Sequence, residues 1–170
     1  EEFMINSLNY LKELPINGVE LNLGSEERFN NLKLTQECLD FLKKFKHNTI
    51  HYPWIPEKRR DDEAVLSKVE EIYKEVNAKN VVFHYSNIKD IKSIMQRDFT
   101  ASIENNDSRN PHNSIKEFKP ILEEHPDLNF IFDLAHGYEA HGEDCLRFLD
   151  EFKERVIECH VSILKDYNHW

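Results

Sequence analysis

Apolar positions along the chain change period repeatedly, from the alternating or continuous spacing of buried strands to the three-and-four spacing of amphipathic helices. A short helix is predicted over residues 7–14, with Ser7 as N-cap and Pro15 as its stop. Gly18-Val19-Glu20-Leu21-Asn22-Leu23 then reads as a strand, and Leu34, Cys38, Phe41, Leu42 and Phe45 share a face of the following helix. The second strand is Asn48 to Pro53; beyond the loop Pro53-Trp54-Ile55-Pro56, a helix carries Val65, Val69, Ile72, Tyr73 and Val76. The third strand, Asn80 to Tyr85, leads to a helix with Ile88, Ile91, Ile94 and Met95. The fourth, Phe99 to Asn105, is separated by a polar loop, Asn106 to Asn113, from a helix with Ile115, Phe118, Ile121 and Leu122, whose pattern Pro120 interrupts. The fifth is Leu128 to Leu134, then a loop and a helix with Cys145, Leu146, Leu149 and Phe152; the sixth is Arg155 to Ser162.

Strand then helix, repeated at roughly 20 to 32 residues per unit, is the βα pattern of a parallel sheet with helices outside it. No repeat or linker divides the chain, so one α/β domain over residues 1–170 is expected. Five strands each deliver an acid or a histidine near the C-terminal end: His51, His84, Glu104, Asp133 and His160. A doubly wound sheet uses few strand ends at its switch point, whereas a barrel turns every strand end toward one axial site. The barrel fits better. Eight units usually take ~250 residues, and this chain has 170. The expected fold is therefore an incomplete TIM-type (β/α) barrel of six strands, or seven with a remnant at Phe3-Met4-Ile5, lacking its last unit and its first strand.

Composition narrows the setting. The chain is 39% hydrophobic and 32% charged, enough for a real core, and its longest apolar runs are far short of a membrane span. It opens on Glu-Glu without a signal-peptide pattern, so a cytoplasmic protein with no membrane partner is expected. Cys38, Cys145 and Cys159 form no C-x-x-C pair and read as buried thiols. The net charge of −10 disfavours electrostatic binding to DNA. Four glycines, none in a G-x-G-x-x-G or P-loop arrangement, give a nucleotide cradle no support.

Glu104, Asp133 and His160 lie on successive strands, so a barrel would bring them together. Two carboxylates that close repel unless a cation intervenes, and a mixed carboxylate and imidazole set suits Zn²⁺ or Mn²⁺, with Mg²⁺ and Co²⁺ as further candidates. His51 and His84 could hold a second ion sharing Glu104; His136 with Asp166 and His169 could hold a third. Read singly, these residues have plainer roles. Asp133 would cap the next helix, His160 would be a hydrogen-bonded core histidine, and Asp166 and His169 a solvated tail. His47, His112, His125 and His141 read as surface residues. Arg59 and Arg60 read first as a solvated face, and as an alternative could meet a phosphate at the barrel mouth. His136 and His141 stand five apart and so do not match H-E-x-x-H.

Together these residues resemble the xylose isomerase-like TIM barrels, the group that includes endonuclease IV and sugar isomerases and epimerases. Gly18-Val19-Glu20-Leu21 is similar to the group's G-x-E-L, His51-Tyr52-Pro53 to its H-x-P, and Ile103-Glu104-Asn105 to its E-N. His84 resembles the histidine closing the next strand, Asp133-Leu134-Ala135-His136 the D-x-x-H, and His160-Val161-Ser162 the late histidine strand. The resemblance implies a metal bound by Glu104, Asp133 and His160. Glu104 and Asp133 are the expected catalytic acids, and Asn105, Trp54, Arg59 and Arg60 are expected near the substrate. By the same resemblance His51 and His84 would complete one zinc site and His136 another. Asp166-Tyr167-Asn168-His169 is one residue longer than the group's Asp-x-His, and the closing glutamate of an eighth strand has no counterpart.

The expected activity is isomerisation or epimerisation of a sugar or sugar phosphate. A zinc phosphodiesterase acting on abasic DNA is the alternative, and a non-catalytic metal-binding barrel remnant a third. An open barrel would leave a strand edge unpaired, so association with a second copy is also expected.

Overall fold

The computed structural model describes residues 10–11, 13–59, 63–162, 164–165 and 168–169, and side chains as far as Ser162. The predicted remnant at residues 3–5, Arg60 and Asp166 lie outside the described residues, as does half of the predicted helix over 7–14. In chain order the elements are β1 (Glu20–Asn22), α1 (Glu26–Asn31), α2 (Gln36–Leu42), β2 (Asn48–His51), α3 (Glu63–Glu75), β3 (Ala78–His84), α4 (Ile91–Met95), β4 (Ala101–Glu104), α5 (Ile115–Glu124), β5 (Asn129–Asp133), α6 (Leu134–His141), α7 (Arg147–Phe152) and β6 (Val156–His160). Two short strands, β7 (Leu164–Lys165) and β8 (Asn168–His169), pair antiparallel with each other. The six main strands follow one another in the sheet in sequence order, parallel, with helices between them. This is an incomplete α/β barrel.

The chain forms two compact units, residues 1–81 with 96–100 and residues 82–95 with 101–170. In the first, α3 buries Val65, Leu66, Val69 and Ile72, the stripe its helical spacing predicts, and Phe29, Cys38, Phe41, Leu42 and Ile50 are buried with them. Thr35 and Ser25 accept hydrogen bonds from the first turns of α2 and α1 and so cap them. Asn48, 1% exposed, donates from one side-chain nitrogen to the carbonyls of Leu42 (2.7 Å) and Val76 (2.8 Å), fixing the ends of two helices to the start of β2.

In the second unit the core is aromatic. Phe130 lies 5.3 Å, 6.1 Å and 5.1 Å, ring to ring, from Phe118, Phe148 and Phe152, and is fully buried. The α5 helix runs on through Pro120. Ser114 and Glu117 close a reciprocal capping box at its start.

Three expectations need correction. Leu134 ends no strand: it begins α6, which replaces the loop expected after β5. Cys159 is exposed while Cys38 and Cys145 are buried. On β6 the inward face carries Glu158 and His160, so period two turns Ile157 (51% exposed) and Cys159 outward. Of the histidines read as surface residues only His47 is exposed; His112 packs on Tyr85 with rings 4.5 Å apart, and His141 on Phe148 at 5.8 Å.

Candidate metal centre

The second unit brings five of the predicted side chains together. Glu104 closes β4, Asp133 closes β5, His160 closes β6 and His84 closes β3, while His136 stands in the first turn of α6. The parallel register pairs Glu104 with Ile131 and Asp133 with His160, which places these strand ends at neighbouring levels. Glu104 is the hub, 1% exposed. Its Oε1 lies 2.8 Å from Nδ1 of His160 and 3.6 Å from Nδ1 of His136, and its Oε2 lies 3.5 Å from Nε2 of His84.

Asp133 fills the capping role its position suggested and turns its other oxygen toward the histidines. Its Oδ1 accepts from the backbone N–H of His136 at 2.7 Å and caps α6, while Oδ2 stands 3.7 Å from Nδ1 of His136 and 3.9 Å from Nδ1 of His160. Burial pushes the Asp133 carboxyl above the usual aspartate range; the facing His136 works against the rise and Glu104 adds to it.

Donor atoms of Glu104, Asp133 and His160 all lie within 4.8 Å of one another. Donors on one Zn²⁺ ion are ~2.0–2.2 Å from it, hence at most about 4.4 Å apart. Small side-chain adjustments therefore fit this set to one ion. Two buried carboxylates with an imidazole beside them supply the charge and the donors such an ion requires. His136 is differently committed: its Nδ1 lies 2.9 Å from the carbonyl oxygen of Asn105, a bond that fixes the proton on that nitrogen. The Nδ1 of His84 lies 2.9 Å from Oδ1 of Asn106; as donor in that bond it leaves the lone pair of Nε2 facing Glu104.

Several participants were not singled out from the sequence. Asn106 orients His84, and Glu158 places Oε1 3.7 Å from Nε2 of His160. Glu158 had a signal, since it stands two residues before His160 and therefore on the same face of β6. Asn105, expected near the substrate, is fully buried and both ends of its amide are bound to Asp133: Oδ1 accepts from its N–H at 2.8 Å and Nδ2 donates to its carbonyl at 2.9 Å. Beyond it, Asp107 is held by Arg109 at 2.6 Å and by Asn110 at 3.0 Å. Burial raises the Asp107 carboxyl, but these partners outweigh it and leave it below the usual range.

In the first unit His51 ends β2, with Nδ1 3.2 Å from the carbonyl of Tyr52. Trp54 is 53% exposed, and Arg59 forms an ion pair with Glu26. The backbone of His169 lies in β8, and no geometry of its side chain is described. Among the described residues, no helix is long and apolar enough to cross a membrane.

No family model matches the chain, and no curated protein matches it. Among solved structures, the crystal structure of a xylose isomerase domain protein from Planctomyces limnophilus is similar, with a TM-score of 0.62 and 13% identity over 91% of this chain and 68% of that one. At that identity the likeness is one of fold. The fold shared with it is a TIM-type α/β barrel, incomplete in this chain.

Proposed function

We propose that this chain is a divalent-metal-dependent isomerase or epimerase of a sugar or sugar phosphate, with Glu104, Asp133 and His160 as the ligands of the ion. The observation that carries the reading is the meeting of two buried carboxylates and an imidazole at three consecutive strand ends. Likeness in fold to a xylose isomerase domain protein supports the substrate class. A bound ion would hold adjacent substrate oxygens and offset the negative charge that develops when a proton leaves the carbon next to a carbonyl.

In this reading one of the two carboxylates, Glu104 or Asp133, takes that proton while the other stays on the ion. Oδ2 of Asp133 faces the centre while Oδ1 is held by the start of α6, so the carboxylate keeps one orientation through the reaction.

The test is exchange of solvent deuterium into the carbon beside the carbonyl, across a panel of aldoses, ketoses and their phosphates, with chain loaded with Mn²⁺, Co²⁺, Mg²⁺ or Zn²⁺. Exchange by the wild type that Glu104→Ala abolishes is expected. No exchange with any ion and any member of the panel would sink the isomerase reading.

One observation favours a second reading, a zinc phosphodiesterase. Imidazoles of His84 and His136 stand 3.5 Å and 3.6 Å from Glu104, more histidine than one ion requires. Elemental analysis separates the two: three zinc ions per chain would favour hydrolysis, one ion isomerisation. The net charge of −10 weighs against a DNA substrate.

A further inference from the structure

We propose that Asn105 is a positioning residue: its side-chain amide clamps the peptide group of Asp133 and thereby sets the affinity and coordination geometry of the ion. The inference rests on the metal-centre reading above and says which buried residue makes that centre tight.

The amide grips the N–H (2.8 Å) and the carbonyl (2.9 Å) of the same residue, Asp133. The β4 ladder has ended one residue earlier, at Glu104 opposite Ile131, so the Asn105 side chain continues the pairing where the β4 backbone no longer does. On its other side Asp133 is paired with His160 of β6. Its peptide is thus held from both flanks, and its carboxylate is held a third time by the N–H of His136 at 2.7 Å. Only Oδ2 is then turned toward His160 and His136. Loss of the amide releases one of the restraints on a ligand-bearing peptide, and binding constellations tolerate only about 0.5 Å of looseness.

Two other roles for the amide fail. Contact with substrate is excluded by complete burial and by the use of both amide ends. A plain structural brace would resemble Asn48 in the first unit, which is equally buried and donates to two carbonyls, but neither of those belongs to a candidate ligand. The pair Asn105 and Asn48 therefore supplies its own control.

Chelator-stripped wild type, Asn105→Ala, Asn105→Asp and Asn48→Ala would be titrated with Co²⁺ and followed by its visible absorption, with folding checked by circular dichroism. Outer-shell partners of metal ligands typically change affinity 10- to 100-fold. A loss of that size with an altered absorption band is expected in both Asn105 variants, and an unchanged dissociation constant and band in Asn48→Ala. Asn105→Asp keeps the shape and the acceptor for the Asp133 N–H and removes the donor to its carbonyl, so it decides the matter should Asn105→Ala fold poorly. Wild-type affinity and an unchanged band in the Asn105 variants would overturn the inference, as would an equal loss in Asn48→Ala. A wild type that does not bind Co²⁺ would instead overturn the metal-centre reading beneath it.

Discussion

Glu104→Gln is the most direct perturbation of the proposed centre, because it removes a charge and keeps the shape of the side chain. Glu104 is 1% exposed and stands within 2.8 Å of one imidazole and 3.5–3.6 Å of two others, so no solvent compensates for the change. A ligand that binds only the folded chain stabilises it by RT ln(1 + [L]/Kd), about 2.7 kcal/mol at a hundredfold excess over Kd. In a chain of 170 residues each kcal/mol moves the thermal midpoint by ~2–4 °C, so saturating ion should raise the wild-type Tm by about 5–11 °C. Thermal unfolding of chelator-stripped protein, with and without Mn²⁺ or Zn²⁺ and followed by circular dichroism, measures the rise. Glu104→Gln should lose most of it, since a neutral amide offers one weak oxygen in place of a charged donor. Equal rises in the two proteins would remove Glu104 from the centre, and no rise in the wild type with any divalent ion would remove the centre.

Other expectations concern the frame. Phe130→Ala opens a hole among Phe118, Phe148 and Phe152 and should cost about 3–5 kcal/mol in urea unfolding, a loss under 1 kcal/mol marking the aromatic core as loosely packed. Glu117 titrates below its ordinary value of 4.5, chiefly through the Ser114 hydroxyl and against a smaller effect of burial. Its folded pKa is depressed, so its contribution is present above 4.5 and lost as the pH falls through the lower folded value. Glu117→Gln should therefore be less stable than wild type at neutral pH and approach it in acid; a gap that is constant with pH would contradict the capping box. Cys159 should react with a thiol reagent in the folded chain while Cys38 and Cys145 react only on unfolding, which mass spectrometry of labelled peptides would show. Burial also raises the Cys145 thiol and slows it further.

Strands were legible because each is a short apolar run that stops abruptly at a polar residue, and β2, β3, β4, β5 and β6 end on His51, His84, Glu104, Asp133 and His160. Helices were legible in proportion to their apolar stripe. The four buried positions of α3 announce it, whereas α1 buries only Phe29 and carries too few apolar positions to show a period. In α6 two histidines and Gly137 thin the stripe, and the helix begins on the residue after β5, so no loop marks its start.

Local order alone settled which residues stand at the strand ends, since period and turn chemistry are properties of neighbouring residues. It could not settle which atoms face one another. That Oδ1 of Asp133 turns to α6 and Oδ2 to His160, that Nδ1 of His136 is taken by a backbone carbonyl, and that Asn105 grips a peptide 28 residues away are outcomes of packing between segments distant along the chain. The exposed Cys159 has the same origin: alternation places it opposite His160, but only the assembled sheet decides which face of β6 is covered.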